Sequence, residues 1–219
     1  MIEQSFQDLK SFCEKENFKG WDPYDGLNSC IIQKTPLRKS RVFKLAWIQL
    51  FKRNPINFRQ LLGIKKDYNP KGLGLFLIGY CNLYVTENKE EYLDKIQFLS
   101  NKILQLQTKG YSGACWGYNF DWQARAFFQP KYTPTVVATS FISEALLMAY
   151  DITKQERLLQ TALSSCDFIL KDLNKSFDNQ QMIIIGTEWN IYRSINFKKL
   201  HLQMSSHVIY DLRNIYIHD

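Results

Sequence analysis

Four carboxylates stand in settings where acid–base chemistry can be imagined: Asp22 and Asp25 in GWDPYDGLNS, Asp121 in WGYNFDWQAR, and Glu144 in ATSFISEALL. Two carboxyl groups flanking a glycosidic bond can cleave it, one delivering a proton while the other serves as base or nucleophile. Trp21, Tyr24, Trp116, Tyr118 and Trp122 surround three of these acids in sequence. Such rings stack on the apolar faces of sugars while a few polar groups fix orientation. Arg125 and Lys131 are suited to hold a uronate, sulfate or phosphate. An eliminative variant, as in a polysaccharide lyase, would take Tyr132 or Tyr111 as base, with Arg125 neutralising the uronate. The expected site is thus Asp22, Asp25, Asp121 and Glu144 as catalytic groups, with Trp21, Tyr24, Trp116, Tyr118, Trp122, Arg125, Lys131 and Tyr132 binding substrate.

Each of these residues also has a plain structural reading. Asp22 and Asp25 can brace the turn around Pro23, and Asp121 and Arg125 lie at the i, i+4 spacing of a helical ion pair. Trp116 and Trp122 can pack between helices. Glu144 interrupts an otherwise apolar helix, where a buried charge is costly unless paired or facing a polar cavity. Glu188 in GTEWNIY reads as structural or as part of a disordered stretch.

The three histidines, His201, His207 and His218, all fall near the C-terminus. A histidine-dependent triad or zinc site built from the preceding chain is therefore not expected. Cys13, Cys30, Cys81, Cys115 and Cys166 are odd in number, widely spaced and never in a CxxC pair. Neither a disulfide framework nor a zinc knuckle follows, and Cys81 and Cys166, set in apolar helical patterns, are expected to be buried thiols. No metal and no cofactor are expected.

These residues must be positioned by helices. The 219 residues, 45% hydrophobic and 15% aromatic, supply ample core for one domain. Glu3 to Asn17 has helical periodicity and Gly20 ends it. SRVFKLAWIQLFKRN reads as a helix capped by Ser40, with Val42, Phe43, Ala46, Trp47, Leu50 and Phe51 on a broad apolar side and Arg41, Lys44 and Lys52 opposite. From Gly72 a pattern repeats: GLFLIGYCNLYVTENKEEYLDKIQFLSNKILQL is followed by TSFISEALLMAYDITKQERLLQTALSSCDFILKDL. In each copy an apolar helix ends near a tyrosine (Tyr84, Tyr150), a polar turn holds a threonine (Thr86, Thr153), and an amphipathic helix runs through Leu93 or Leu159. Apolar first helices suit an inner layer and one-sided second helices an outer one. The expected fold is all-α, an α/α toroid of helical hairpins.

Charge is uneven. The net charge is +7, yet residues 34–71 carry eleven Lys or Arg against Asp67 alone, a local +10. An acidic partner would meet this segment. The basic helix could lie on an anionic membrane surface or pack its apolar side into the domain. A nucleic-acid partner is not expected, because no reader module is present. The N-terminus lacks the pattern of a signal peptide, and LGLFLIGYCNLYV is too short to span a bilayer. The cytoplasm is the expected compartment, with peripheral contact at the inner membrane.

The segments GWDPYDGLNS, NPINFRQLLGIKKDYNPKGLGLFL and WGYNFDWQARAFFQPKYTPTVVATSFISEALL together resemble a bacterial group of α/α-toroid proteins, similar in fold to six-hairpin glycosidases and found in surface-polysaccharide biosynthesis clusters. The resemblance spans roughly residues 1–178. It implies a carbohydrate-active or glycan-binding protein of surface-polysaccharide metabolism whose partner is an oligosaccharide or polysaccharide. A carboxylate-dependent glycosidase is the enzymatic form, and a polysaccharide lyase or a non-catalytic glycan-binding scaffold at the cytoplasmic membrane face is the alternative. Residues 1–180 form the expected toroid domain, a partial ring, and 181–219 an atypical tail without the hairpin repeat, as in a truncated or frameshifted form.

Overall fold

Helix α1 (Ile2–Lys15) ends where Asn17 and Phe18 both take left-handed backbone, with φ of 53° and 59°. That reversal turns Phe18 inward, where its ring meets those of Phe76 and Tyr80 at 5.3 and 5.8 Å. The computed structural model describes residues 2–125, 127–173, 182–185, 202 and 208–211. Glu188, His201, His207, His218 and most of the tail expected from 181 onward lie outside the described residues.

A short helix α2 (Cys30–Gln33) and two 3-10 turns lead to α3 (Arg41–Arg53), whose first turn is closed by the Ser40 hydroxyl accepting from Phe43 N at 3.3 Å. The cap and the limits agree with the sequence pattern. Ile48 and Phe51 are buried, and the Trp47 indole donates to the Gly26 carbonyl at 2.9 Å. Lys44 and Lys52 place their Nζ ammonium groups over the Phe128 and Tyr24 rings, 3.7 and 4.7 Å from the centroids. The basic side of α3 is therefore used partly within the fold.

Two helical hairpins follow, as the repeat requires: α4 (Pro70–Glu87) with α5 (Glu90–Gln105), and α6 (Val136–Thr153) with α7 (Glu156–Asp167). The copies end their first helices in the same way. Asn88 and Lys154 both adopt left-handed backbone, and their N–H groups donate to the Tyr84 and Tyr150 carbonyls at 2.8 and 2.7 Å. A left-handed residue one turn past a fixed carbonyl is the chain's means of stopping a helix without leaving that carbonyl unpaired. Asn69 caps α4 and Thr135 caps α6 through side-chain oxygens.

The core lies where α4, α5 and α6 meet. Leu73, Leu77 and Cys81 from α4, Ile96, Leu99 and Ile103 from α5, and Ile142, Leu146 and Ala149 from α6 are all buried. Gly74 lets α4 approach α6 closely, since a Cβ there would stand 3.2 Å from Ile142 Cγ1. Burial raises the Cys81 thiol to about 12. Cys166, expected to be buried, is exposed: it falls on the outer side of α7, away from Leu158, Ala162 and Ser165, which carry the packing. By length and composition α6 could cross a membrane; in this structure its Ala138, Thr139, Ile142, Ala145, Leu146 and Ala149 are buried. Being apolar all round does not cover either inner helix completely, for Leu75, Val85, Phe141 and Leu147 stay exposed.

The chain divides into two compact units, Met1–Cys166 and Asp167–Asp219. In the second, a π-type turn spans Phe168–Asp172. Strand β3 (Met182–Ile185) pairs in parallel with β4 (Val208–Asp211), Met182 opposite Val208 and Ile185 opposite Asp211. The two-residue strands at Trp122–Gln123 and Phe128–Gln129 form a small antiparallel pair in the first unit. The described residues are thus predominantly helical, in accord with the expected all-α class.

Candidate functional site

Asp25 is buried, and Arg59 reaches it with Nε at 3.0 and 3.1 Å from its two carboxylate oxygens. The same guanidinium donates to the Asp22 carbonyl at 2.9 Å. Asp25 Oδ2 also accepts from Asp22 N at 3.1 Å. Asp22 closes an Asx turn by accepting from Tyr24 N at 2.9 Å, and its other oxygen accepts from the Asn69 amide at 3.1 Å. Both aspartates have raised pKa values, chiefly because burial penalises the charged form; the hydrogen bonds and Arg59 offset this only in part. These two acids brace the loop, as the turn chemistry around Pro23 allows.

Asp121 is likewise occupied. Its Oδ1 accepts from Lys131 N at 2.8 Å and its Oδ2 from the Gln33 amide at 3.4 Å. The i, i+4 pairing with Arg125 expected on a helix does not form, because the backbone at Trp122–Gln123 is extended and antiparallel to Phe128–Gln129. Arg125 instead contributes its carbonyl, which accepts from the Arg41 guanidinium. Asn28 clips the two loops together, donating to the Asn119 carbonyl at 2.9 Å and accepting from Asp121 N at 3.4 Å.

Glu144, expected as a costly buried charge, is exposed on α6. The sequence pattern misleads because the residues flanking it are small or apolar, whereas α6 turns one face outward, with Phe141 and Leu147 exposed beside Glu144. Trp116 is the opposite case. It is fully buried, its indole N–H donates to the Ile103 carbonyl at 2.8 Å, and it belongs to the core rather than to a lip.

The other aromatics pack on one another. Tyr118 stacks on Phe120 at 5.3 Å, Phe120 on Tyr24 at 6.3 Å, Tyr24 meets Trp122 at 6.0 Å, and Trp122 meets Phe127 edge-on at 5.4 Å. Lys52 donates to the Tyr24 hydroxyl at 2.7 Å. Tyr132 is held in left-handed backbone with φ of 62°, and its N–H donates to the Tyr118 carbonyl at 2.6 Å. Burial raises the Tyr118 and Tyr132 phenols, with the charges of Asp22 and Asp67 respectively adding to the effect. A raised phenol is a poorer proton acceptor near neutrality, which opposes the use of Tyr132 as an eliminative base.

Of the expected residues, the structure brings Trp21 and Asp22 to a single cleft of about 260 Å³, whose other polar lining includes Asp67, Asn69 and Asn119. Trp21 is fixed by its indole N–H on the Ile64 carbonyl at 3.1 Å, and the Gly20 and Asp67 backbones pair beside it. Asn119 is buried and its Oδ1 accepts no hydrogen bond from the described residues. Asp25, Asp121 and Glu144 do not line this cleft. The residues that the sequence reading missed are Arg59, Asn28, Asn69 and Asn119. Asn69 carried a signal, since Asn before Pro is a helix-start pattern; Arg59 carried none.

A helical scaffold whose loop carboxylates are engaged by its own backbone N–H groups and side chains is the class that fold and site define. The comparisons with known proteins then point elsewhere in the chain. The model of the UDP-glucose/GDP-mannose dehydrogenase family, UDP binding domain, matches residues 142–218. No curated protein and no solved structure matches the chain.

The match overturns the resemblance to six-hairpin glycosidase-like α/α-toroid proteins, which had been carried to residue 178 and so claimed part of the same segment. It also overturns the readings that rested on that resemblance: glycosidase, polysaccharide lyase and glycan-binding scaffold. The physical source of the error is the 181–219 segment. It lacks the hairpin repeat, whereas the parallel pairing of β3 with β4 is a positive pattern of another kind.

Proposed function

We propose that this chain binds a nucleotide sugar, with the C-terminal segment contacting the nucleoside diphosphate. The observation that carries this reading is the match of residues 142–218 to the UDP-binding domain of nucleotide-sugar dehydrogenases. The β3–β4 pair supports it. Parallel neighbours are the wiring of α/β units rather than of hairpins. In open parallel sheets ligands lie beyond the carboxyl ends of the strands, which here are Ile185 and Asp211. The expected partner accordingly changes from a free oligosaccharide to a sugar carried on a nucleotide.

The proposed compartment is the cytoplasm. All five cysteines are free thiols, which suits a reducing environment.

Titration calorimetry of the full chain with UDP-glucose, UDP, GDP-mannose and a neutral oligosaccharide tests the reading. Saturable heat with UDP-glucose, competed by UDP and absent with the oligosaccharide, is the expected result. Equal heats for all four ligands, or none with either UDP compound at millimolar concentration, would overturn it.

A further inference from the structure

Helix α3 buries Ile48 and Phe51 on one side. By helical geometry the opposite side carries Val42, Ala46, Gln49, Leu50 and Arg53. A soluble helix normally places polar residues there, yet Val42 is 77% and Leu50 58% exposed. Ala46, Gln49, Leu50, Arg53 and Asn54 line one shallow depression, so an apolar and a cationic residue share it. The flanking segments continue the pattern, with Leu37 45% exposed before α3, and Ile56 and Leu61 61% and 77% exposed after it.

Cations are interleaved with these side chains. Arg41, Lys44, Lys52 and Arg59 are engaged within the fold. Lys34, Arg38, Lys39, Arg53 and Lys65 are exposed and pair with no acid among the described residues. Asp67 is the sole acid from 34 to 71, so little in the sequence of this segment offsets their field.

We propose that this face, Leu37 through Leu61, docks on an anionic lipid surface, with Val42 and Leu50 entering the headgroup boundary and Arg38, Lys39 and Arg53 meeting lipid phosphates. Apolar side chains alone would fit any greasy partner, and cations alone any polyanion. Exposed apolar side chains on the outward side of a helix, with a cation on that side (Arg53) and two more in the turn that precedes it (Arg38, Lys39), are what an interfacial helix uses, because each supplies what the other lacks: depth of burial and long-range attraction. The proposal stands independently of the nucleotide-sugar reading, since it concerns residues outside the 142–218 match.

The test is flotation of the full chain with vesicles of phosphatidylglycerol and phosphatidylcholine, and separately with phosphatidylcholine alone. About tenfold stronger binding to the anionic vesicles is expected, falling sharply between about 0.05 M and about 0.5 M salt as screening sets in. Arg38→Gln/Lys39→Gln/Arg53→Gln should lose most of it. Val42→Gln/Leu50→Gln should lose it as well while retaining the helical circular dichroism. Since the triple variant changes only exposed side chains, it keeps the test valid if the apolar variant folds poorly. Equal binding to neutral vesicles, or wild-type binding by the triple variant, would overturn the proposal. So would a dimer in light scattering that Val42→Gln/Leu50→Gln dissociates without any vesicle binding, or binding to duplex DNA in place of vesicles.

Discussion

Arg59 Nε stands 3.0 Å from Asp25 Oδ1, and this pair is the most enclosed of the ion pairs among the described residues. Thirty-four positions separate the two in sequence, so the contact ties the 54–63 connection to the first aromatic loop. Arg59→Met would leave the Asp25 carboxylate buried without its cation. Breaking one side of a buried pair costs about 3–5 kcal/mol. Denaturant unfolding should show a loss in that range, and Asp25→Asn combined with Arg59→Met should recover part of it.

Asp22 predicts a pH dependence. Its pKa in the fold is raised, first by burial, so the folded state holds its proton at pH values where the unfolded chain has released it. Its contribution to stability is therefore full below the unfolded value of about 3.9 and is lost as pH rises through the raised folded value. Stability curves measured from about pH 4 upward should fall less steeply in Asp22→Asn than in the wild type. An unchanged slope would mean that Asp22 is ionised in the fold throughout.

Trp116 fills the core and donates to the Ile103 carbonyl. Trp116→Ala should cost about 3–5 kcal/mol by cavity formation. Trp116→Phe should cost less, because the ring is mostly replaced and only the hydrogen bond is lost. Thermal and denaturant unfolding both read this out.

Gly117 pairs with Pro134 in an isolated bridge, and a Cβ at 117 would overlap the Thr133 carbonyl. The obstacle is backbone and cannot swing aside as a side chain would. Gly117→Ala is expected to destabilise by about 1–3 kcal/mol, with the 114–135 loop gaining hydrogen exchange ahead of α4 and α5.

Glu144 makes a control. Because it is exposed on α6, Glu144→Gln should move stability by no more than about 0.5 kcal/mol. A larger loss would place that carboxylate in a contact that the structure does not contain.

What the sequence by itself determined is the local helical grammar. The Ser40 cap, the two hairpins with their Tyr84 and Tyr150 ends, and the amphipathic helices through Leu93 and Leu159 all follow from 3.6-residue periodicity and turn chemistry, which act within a few residues of one another. Tertiary structure decided which polar groups were already spoken for. Asp25 found Arg59, Asp22 found Asn69, and Asp121 found Lys131 N, across separations of tens of residues for the first two and ten for the third. No local pattern encodes such partners, so four acids that looked available as chemistry include three that hold loops together. The same limit applied to Glu144 and Cys166, which lie in helices rich in apolar residues but are turned outward. It applied as well to β3 and β4, because parallel pairing joins segments more than twenty residues apart and leaves no repeat to read along the chain.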